Sequence, residues 1–215
     1  MDKVIVHFEK VDKVMAGLAK KYKVGKSRRP TENRFEYLAL TILYQQLSTK
    51  VAQVIAGRFK AIYQPLPNPP LSKGGDRTNS GAFPKPKKIL QTPDETLRAV
   101  GISWAKVRYI KDLAEKVQSG EVQLEKLEEL EDEQVILELT KVKGIGRWTA
   151  EMFLMSALGR PDIFSLGDLG LRTAIKKAYG YKKLPSDRTV LRHSKLWSPY
   201  RTYAARVLWA SLDNE

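Results

Sequence analysis

Apolar positions recur at helical spacing along most of this 215-residue chain. Steps of three and four residues place one apolar face along residues 4–22, which predicts an N-terminal helix. The same spacing predicts a long helix over residues 35–59, with a break at residues 47–49. Strand-like alternation is scarce and no internal repeat is visible. The pattern therefore predicts an all-α fold.

Further helices are predicted in the second half of the chain. One begins at Thr92-Pro93, where Thr92 is the expected cap and Pro93 the first helical residue. Apolar spacing predicts the others at 107–117, 133–139, from Trp148 onward, at 169–179 and at 200–212. Residues 65–86 differ, because they combine six prolines and three glycines with almost no apolar periodicity. They are expected to form an exposed loop or insertion.

The charge of the chain indicates a polyanionic partner. The net charge is +14 and the sequence pI is about 9.8. Residues 1–30 hold nine Lys/Arg against three acids, residues 172–206 hold ten against one, and residues 121–133 hold seven acids and one lysine. Such segregation favours one surface that faces phosphates and another that faces solvent. The alternatives are a generally basic surface and a basic helix that lies on an anionic membrane.

Several classes of protein are excluded by composition. The absence of cysteine excludes disulfides, cysteine-ligated zinc and iron–sulfur clusters, and it fits a reducing compartment. No apolar run approaches the roughly 18 residues of a membrane span, and the N-terminus lacks a signal-peptide core. We therefore expect a soluble, intracellular protein without a membrane partner.

The segment TKVKGIGRWTAEMF, residues 140–153, contains a tight basic turn. Gly144 and Gly146 can take positive φ and let another molecule approach the backbone. The free N–H groups of the helix that follows, together with Lys141, Lys143 and Arg147, form a cradle suited to phosphate. The segment is not a dinucleotide-binding turn, because the third glycine of that motif is missing. It is not a P-loop, because no Gly-Lys-Ser/Thr follows. An ordinary helix–helix connection is the alternative.

Three segments carry a resemblance to a known family: LTKVKGIGRWTAEMFLMSALGRPDIFSLGDLGLR, FEYLALTILYQQLSTKVA and WSPYRTYAARVLW. Together they resemble the helix-hairpin-helix DNA glycosylases of the 3-methyladenine, alkylation-repair type, over most of the chain from about residue 30. The resemblance implies one glycosylase domain with two helical subdomains and the active site in the cleft between them. The subdomains would be residues 35–130, with the insertion at 65–86, and residues 131–215 with the N-terminal helix 1–30. The chain has no room for the extra N-terminal β domain of larger bacterial members.

The same resemblance implies the function. It predicts a monofunctional DNA glycosylase that flips alkylated purines such as 3-methyladenine and 7-methylguanine out of duplex DNA and hydrolyses their N-glycosidic bond, which initiates base excision repair. The expected partner is double-stranded DNA with damaged bases. The protein would act as a monomer, without a required cofactor, in the cytoplasm and nucleoid or in a nucleus. The sequence does not decide among alkylated, ethenylated and deaminated purines.

The site residues implied by the resemblance centre on Asp168, the match to the catalytic aspartate of the family. Asp168 also stands where it can cap the following helix, and Gly167 departs from relatives that often have Pro or an acid nearby. Trp148 and Trp209 match pocket tryptophans that would stack on a cationic base. Tyr37 could line the same cavity, although core packing is the favoured interpretation for it.

Further residues would contact the DNA backbone or the duplex. Gln46 matches the position that inserts into the space vacated by the flipped base, and a polar helix-capping role is the alternative. Lys143, Gly144, Gly146, Arg147 and Thr149 would bind the DNA backbone. The carbonyls of Thr140, Val142 and Ile145 match those that hold a structural Na⁺ or K⁺. His7 and His193 lie outside the motifs and are expected at the surface.

Two rival functions remain open at the level of sequence. A bifunctional glycosylase/lyase for oxidised bases needs a lysine nucleophile just after the hairpin, where this chain has Trp148. A non-catalytic helix-hairpin-helix module would bind DNA without chemistry. Asp168 and the aromatic pocket argue against the second rival, because pure binding needs neither.

Overall fold

The chain is helical throughout the part that the computed structural model describes, residues 2–24, 31–64 and 83–213. Within these ranges there are twelve α-helices, one short 3₁₀ helix at Leu124–Glu128 and no strand, so the all-α prediction is confirmed. The helices are α1 (Asp2–Val11), α2 (Lys13–Lys21), α3 (Arg34–Tyr44), α4 (Thr49–Ala61), α5 (Pro86–Gln91), α6 (Asp94–Ala99), α7 (Trp104–Ser119), α8 (Asp132–Thr140), α9 (Arg147–Ser156), α10 (Leu169–Ala178), α11 (Asp187–Trp197) and α12 (Arg201–Asp213). None of them is long and apolar enough to cross a membrane.

The helices form two compact units. The first unit contains Met1–Glu32 and Gly146–Glu215, so it includes α1, α2 and α9–α12. The second unit is Asn33–Ile145 and includes α3–α8 with the 3₁₀ helix. The chain thus passes from the second unit to the first within the glycine turn, between Ile145 and Gly146.

The core of the first unit is built on α12, which packs against α2, α10 and α11. The expected single N-terminal helix is in fact two helices, because Asp12 interrupts it. The Asp12 side chain accepts the N–H of Met15 (3.0 Å) and so caps α2. Its Oδ2 also accepts the Tyr179 hydroxyl (2.5 Å) and the Trp197 indole N–H (2.9 Å). An apolar periodicity of three and four continues across this break, which is why the sequence pattern did not show it.

The second unit is centred on α7, which packs against α3, α5 and α6. The predicted break in the long helix over residues 35–59 is present, since α3 ends at Tyr44 and α4 begins at Thr49. Residues 65–82 of the expected insertion lie outside the described residues. Phe83 belongs to the core rather than to an exposed loop, because it is buried against Phe35 and Phe59 at centroid distances of 6.1 and 5.7 Å.

The predicted helix start at Thr92-Pro93 is displaced by one residue. Pro93 is the N-cap and α6 begins at Asp94. Thr92 instead closes α5, and its hydroxyl donates to the Lys88 carbonyl (2.8 Å) and contacts the Tyr63 hydroxyl (3.0 Å). The hydroxyl is therefore engaged with the preceding helix, so it does not cap the following one.

Candidate functional site

Asp168 occupies the N-cap of α10, at the end of an irregular segment that follows α9. Its Oδ1 accepts the backbone N–H of Leu171 at 2.7 Å, which fixes the side chain against the first turn of the helix. The residue is 8% exposed. A carboxylate at this end of a helix also lies at the positive end of the helix dipole.

Two tryptophans bring their indole N–H groups to the same carboxylate. Trp148, in the first turn of α9, donates to Oδ2 at 2.6 Å. Trp209, on α12, donates to Oδ1 at 3.3 Å. The first unit therefore assembles three of the predicted site residues, although they are separated by 20 and 41 positions in the chain. Three N–H groups converge on one carboxylate, an arrangement that fits a charged acceptor.

The surroundings of this carboxylate combine buried polar atoms with accessible apolar faces. Trp148 is 48% exposed and Leu169, next to Asp168, is 65% exposed. Both apolar side chains are therefore open to contact beside the buried carboxylate. The indole ring of Trp148 is thus tethered through its edge while much of its surface stays open.

Gly170 is a member of this site that the sequence analysis did not identify. A Cβ at position 170 would lie 3.0 Å from Oδ1 of Asp168 and 3.5 Å from Cδ1 and Nε1 of Trp209. By contrast, a Cβ at Gly167 would meet nothing within 4 Å. Gly170 therefore leaves the space in which Asp168 and Trp209 approach each other. The only signal in the sequence was a glycine inside the first turn of a helix, where glycine is disfavoured.

The glycine turn is shaped by α7 in the second unit. Gly144 has φ +82°, and a Cβ there would lie 2.3 Å from Cδ2 of Tyr109, so the backbone rests on the tyrosine ring. The backbone N–H of Lys143 donates to Oδ2 of Asp112 at 2.8 Å, while the Lys143 side chain is 74% exposed. The prediction that Gly144 takes positive φ is confirmed.

In the first unit, α9 begins without a side-chain cap. Gly146 is its N-cap with φ −93°, so this glycine does not use the left-handed region that the sequence analysis expected. The Arg147 Nε donates to Oε1 of Glu151 at 3.1 Å. Thr149, in the first turn of this helix, is buried at 4% exposure.

The carbonyl trio of the cation prediction lies in the second unit. The Val142 carbonyl accepts the N–H of Ile145 at 3.1 Å, which closes the turn, and each carbonyl oxygen has a second lone pair for an ion. Among the described residues, no group of three or more His, Cys, Asp or Glu could hold a metal ion. The predicted donors are backbone carbonyl oxygens, which are neutral acceptors.

The turn between α3 and α4 presents Gln46. This residue is exposed and has φ +57°, the only positive φ among non-glycine residues in the described ranges. Gln46 lies between the end of α3 at Tyr44 and the start of α4 at Thr49, outside both helices. Tyr37 is half-buried in α3, and its carbonyl accepts the Thr41 hydroxyl at 2.8 Å.

The expectation that His193 lies at the surface is wrong. It is buried on α11 at 8% exposure, with its ring 4.2 Å from that of Tyr179 and its Nε2 2.8 Å from the Tyr181 hydroxyl. Burial lowers the pKa of His193 below its ordinary value. His7 is half-buried, and its Nε2 lies 3.0 Å from the Leu196 carbonyl.

Comparison with known proteins identifies what this arrangement is similar to. The family described as HhH-GPD superfamily base excision DNA repair protein matches residues 39–199. DNA-3-methyladenine glycosylase 1 of Schizosaccharomyces pombe is 34% identical over 97% of this chain and 86% of its own.

Two solved structures extend the comparison to the fold. The 3-methyladenine DNA glycosylase of S. pombe in complex with abasic DNA has a TM-score of 0.79 at 33% identity, over 98% of this chain and 97% of its own. DNA-3-methyladenine glycosidase of Bacillus halodurans has a TM-score of 0.78 at 35% identity, over 97% of this chain and 88% of its own.

Proposed function

This chain belongs to the HhH-GPD superfamily of base excision DNA repair proteins, and we propose that it is a monofunctional DNA glycosylase that removes alkylated purines from duplex DNA. The similar proteins named 3-methyladenine DNA glycosylase support this substrate class. The observation that carries the proposal is the carboxylate of Asp168, held at a helix N-terminus by two indole N–H groups beside an accessible tryptophan face. The partner is a duplex with damaged bases, and the protein acts on it as a monomer inside the cell.

Asp168 supplies the charge that the reaction needs. When the bond between the base nitrogen and C1′ breaks, its electron pair leaves with the base and positive charge develops on the sugar. A nearby carboxylate stabilises that charge and orients the water that adds to C1′. Oδ1 accepts two N–H groups, whereas Oδ2 accepts that of Trp148, so Oδ2 is the oxygen with a lone pair for the sugar or the water.

Trp148 and Trp209 receive the flipped base in this proposal. N3- and N7-alkylated purines are cationic, so indole faces attract them by stacking and cation–π interaction. Because each indole edge is tied to Asp168, its face has a defined direction relative to the carboxylate. A cationic purine is a good leaving group, so the site needs no strong general acid. Tyr37 is a further candidate for the pocket wall.

The remaining predicted residues hold the DNA. Backbone N–H groups at the start of α9, from Arg147 to Thr149, are suited to a phosphate, and Lys143 adds an exposed charge. The carbonyls of Thr140, Val142 and Ile145 would hold a Na⁺ or K⁺ that bridges the turn to the DNA backbone. Gln46 would insert into the duplex where the base has left, and its exposed position outside any helix supports that role.

The substitution Asp168→Asn tests the proposal. Asparagine is also a good N-cap, so the bond to the Leu171 N–H and the fold should persist. Single-turnover release of 3-methyladenine or 7-methylguanine from a duplex should fall to background, while binding of an abasic-site duplex stays unchanged.

Three outcomes would contradict this proposal. If the Asn variant released the base at the wild-type rate, Asp168 would have no part in the mechanism. If the wild-type protein released no base from any alkylated duplex, the protein would be a DNA-binding module without catalytic activity. Strand breaks before alkali treatment, with a borohydride-trapped adduct, would indicate a lyase. Alkali-dependent breaks support monofunctional hydrolysis.

A further inference from the structure

We propose that one face of α7, formed by Lys106, Tyr109 and Asp112, positions the Gln46 turn (residues 45–48) and the hairpin turn (residues 141–145) as a single platform for base flipping. This inference rests on the proposed function, because it concerns how the duplex is opened for that reaction. All residues of the platform belong to the second unit.

Lys106 holds the end of α3 from which the Gln46 turn leaves. Its ammonium donates to the carbonyls of Leu43 (2.8 Å) and Gln45 (2.6 Å). The last carbonyls of a helix have no partner within the helix, and a cation there also favours the negative end of the helix dipole. Lys106 is half-buried, and this burial lowers the pKa of its ammonium below the ordinary value. Both acceptors are backbone carbonyls, so Lys106 holds the main chain of α3 directly and not through another side chain.

The backbone at Gln46 needs such support. A non-glycine residue at φ +57° lies in a sparsely populated region of backbone conformation, so its surroundings must offset this strain. The residue before Gln46 is held by two hydrogen bonds, one to its carbonyl and one from its side chain. Lys106 binds the Gln45 carbonyl, and the Gln45 side chain donates to the Gly144 carbonyl at 2.8 Å. The second contact joins the Gln46 turn directly to the hairpin turn.

The hairpin turn rests on the next two residues of the same face. Tyr109 lies under Gly144, where its ring leaves no room for a Cβ. Asp112 accepts the Lys143 N–H at 2.8 Å. Positions 106, 109 and 112 are three residues apart, so they follow one side of the helix. The two turns that the proposed function assigns to DNA thus share one rigid support.

Loss of the Lys106 ammonium is expected to slow excision of a paired base more than excision of an unpaired one. Lys106→Met keeps the aliphatic stem but leaves the α3 carbonyls and the strained turn without their cation. Filling the vacated duplex space then becomes less favourable, whereas phosphate contacts by the hairpin are retained. Excision should therefore fall for a base that must be unpaired and be spared for one that is already unpaired.

The experiment compares single-turnover excision from two duplexes with the same lesion, one fully paired and one with an abasic analogue opposite the lesion. Lys106→Met should lose roughly tenfold or more on the paired duplex and much less on the unpaired one. Lys116→Met is the matched control, because this lysine also lies on α7 but bonds Glu121 at the surface. Equal losses on both duplexes would overturn the proposal.

A double-mutant cycle tests whether Lys106 acts through Gln46. If it does, Gln46→Ala with Lys106→Met should be no slower than Gln46→Ala alone, whereas multiplicative losses contradict the proposal. Gln45→Met, which removes the tie to Gly144, provides a second variant with the same expected selectivity should Lys106→Met fold poorly. Fluorescence of 2-aminopurine opposite the lesion reports duplex opening without chemistry. If the wild-type protein released no base, the proposed function would be refuted. The 2-aminopurine fluorescence would still show whether Lys106→Met reduces duplex opening, and so would still test the platform.

Discussion

At the scale of the residue, Asp168 has three N–H donors that leave its carboxylate little freedom to rotate. Charge stabilisation at C1′ depends on where the oxygen atoms are when the bond breaks, because a fixed dipole or charge needs no reorganisation during the reaction. In the proposed mechanism, the contacts from Trp148 and Trp209 would therefore affect the rate of base release as well as base binding. A pocket residue that also orients the charged group is expected to affect the rate constant more than affinity.

Gly170 provides the first prediction at this scale. Gly170→Ala should lower single-turnover base release by roughly ten- to a hundredfold, because the new Cβ would lie 3.0 Å from Oδ1 of Asp168 and displace it or Trp209. DNA affinity should change little, since the carboxylate and indole are not phosphate contacts. Gly167→Ala is the matched control, with nothing within 4 Å of its Cβ. Equal activity of both variants and wild type would show that the site tolerates the shift.

The contrast between Asp168 and Gly170 shows what the sequence could predict at this scale. Asp168 was predicted because the resemblance to the glycosylase family carries the catalytic aspartate of that family onto this position. Gly170 and Lys106 matter through contacts with Trp209 and with carbonyls at Leu43 and Gln45, which lie about forty to sixty positions away. Such contacts depend on how helices pack, and helical spacing does not report packing distances.

At the scale of the element, Asp12 explains the main error in the predicted helices. A single carboxylate caps α2 and accepts hydrogen bonds from Tyr179, the C-cap of α10, and from Trp197, the last residue of α11. Burial, followed by the contact with Asp12, raises the pKa of Tyr179 well above its ordinary value, so the hydroxyl remains a donor. The break between α1 and α2 is thus fixed by tertiary partners, and a pattern of apolar positions cannot reveal these.

His193 lies in the same cluster and gives a prediction for pH. Burial lowers its pKa below the ordinary value of 6.5, with a smaller contribution from Arg192 and an opposing one from the Asp12 carboxylate. The unfolded chain therefore binds the proton more readily, so His193 lowers the free energy of unfolding as pH falls through about 6.5 and has no such effect above it. Urea unfolding from about pH 7.5 to about pH 5.5 should show this loss, and His193→Gln should reduce it.

Tyr181→Phe serves as the control for that measurement. It removes the hydroxyl that lies 2.8 Å from Nε2 but retains the imidazole in its buried stack. The variant should keep the loss of stability below about pH 6.5. An unchanged pH dependence in His193→Gln would mean that other groups cause it.

At the scale of the whole molecule, charge is distributed unevenly along the chain and between the segments that fold together. The basic segments 1–30 and 172–206 belong to the first unit, where the last turn of α10 contains Lys176 and Lys177. The acidic segment 121–133 belongs to the second unit, which also presents Lys143. Sequence alone could therefore predict a polyanionic partner, whereas the site that binds it depends on which charges lie beside the glycine turn.

The salt dependence of DNA binding tests whether those local charges decide affinity. Each phosphate contact contributes about −0.9 to the slope of log K against log salt, so Lys143→Gln should weaken binding and reduce the slope by about one. Because phosphate contacts carry no sequence information, duplexes of different sequence should be affected alike. Lys126→Gln is the control, since it makes the same change of net charge within the acidic segment. Isothermal titration or anisotropy at several salt concentrations measures both slopes. If both variants reduce the slope equally, the field of the whole molecule governs binding, and the glycine turn has no special part in it.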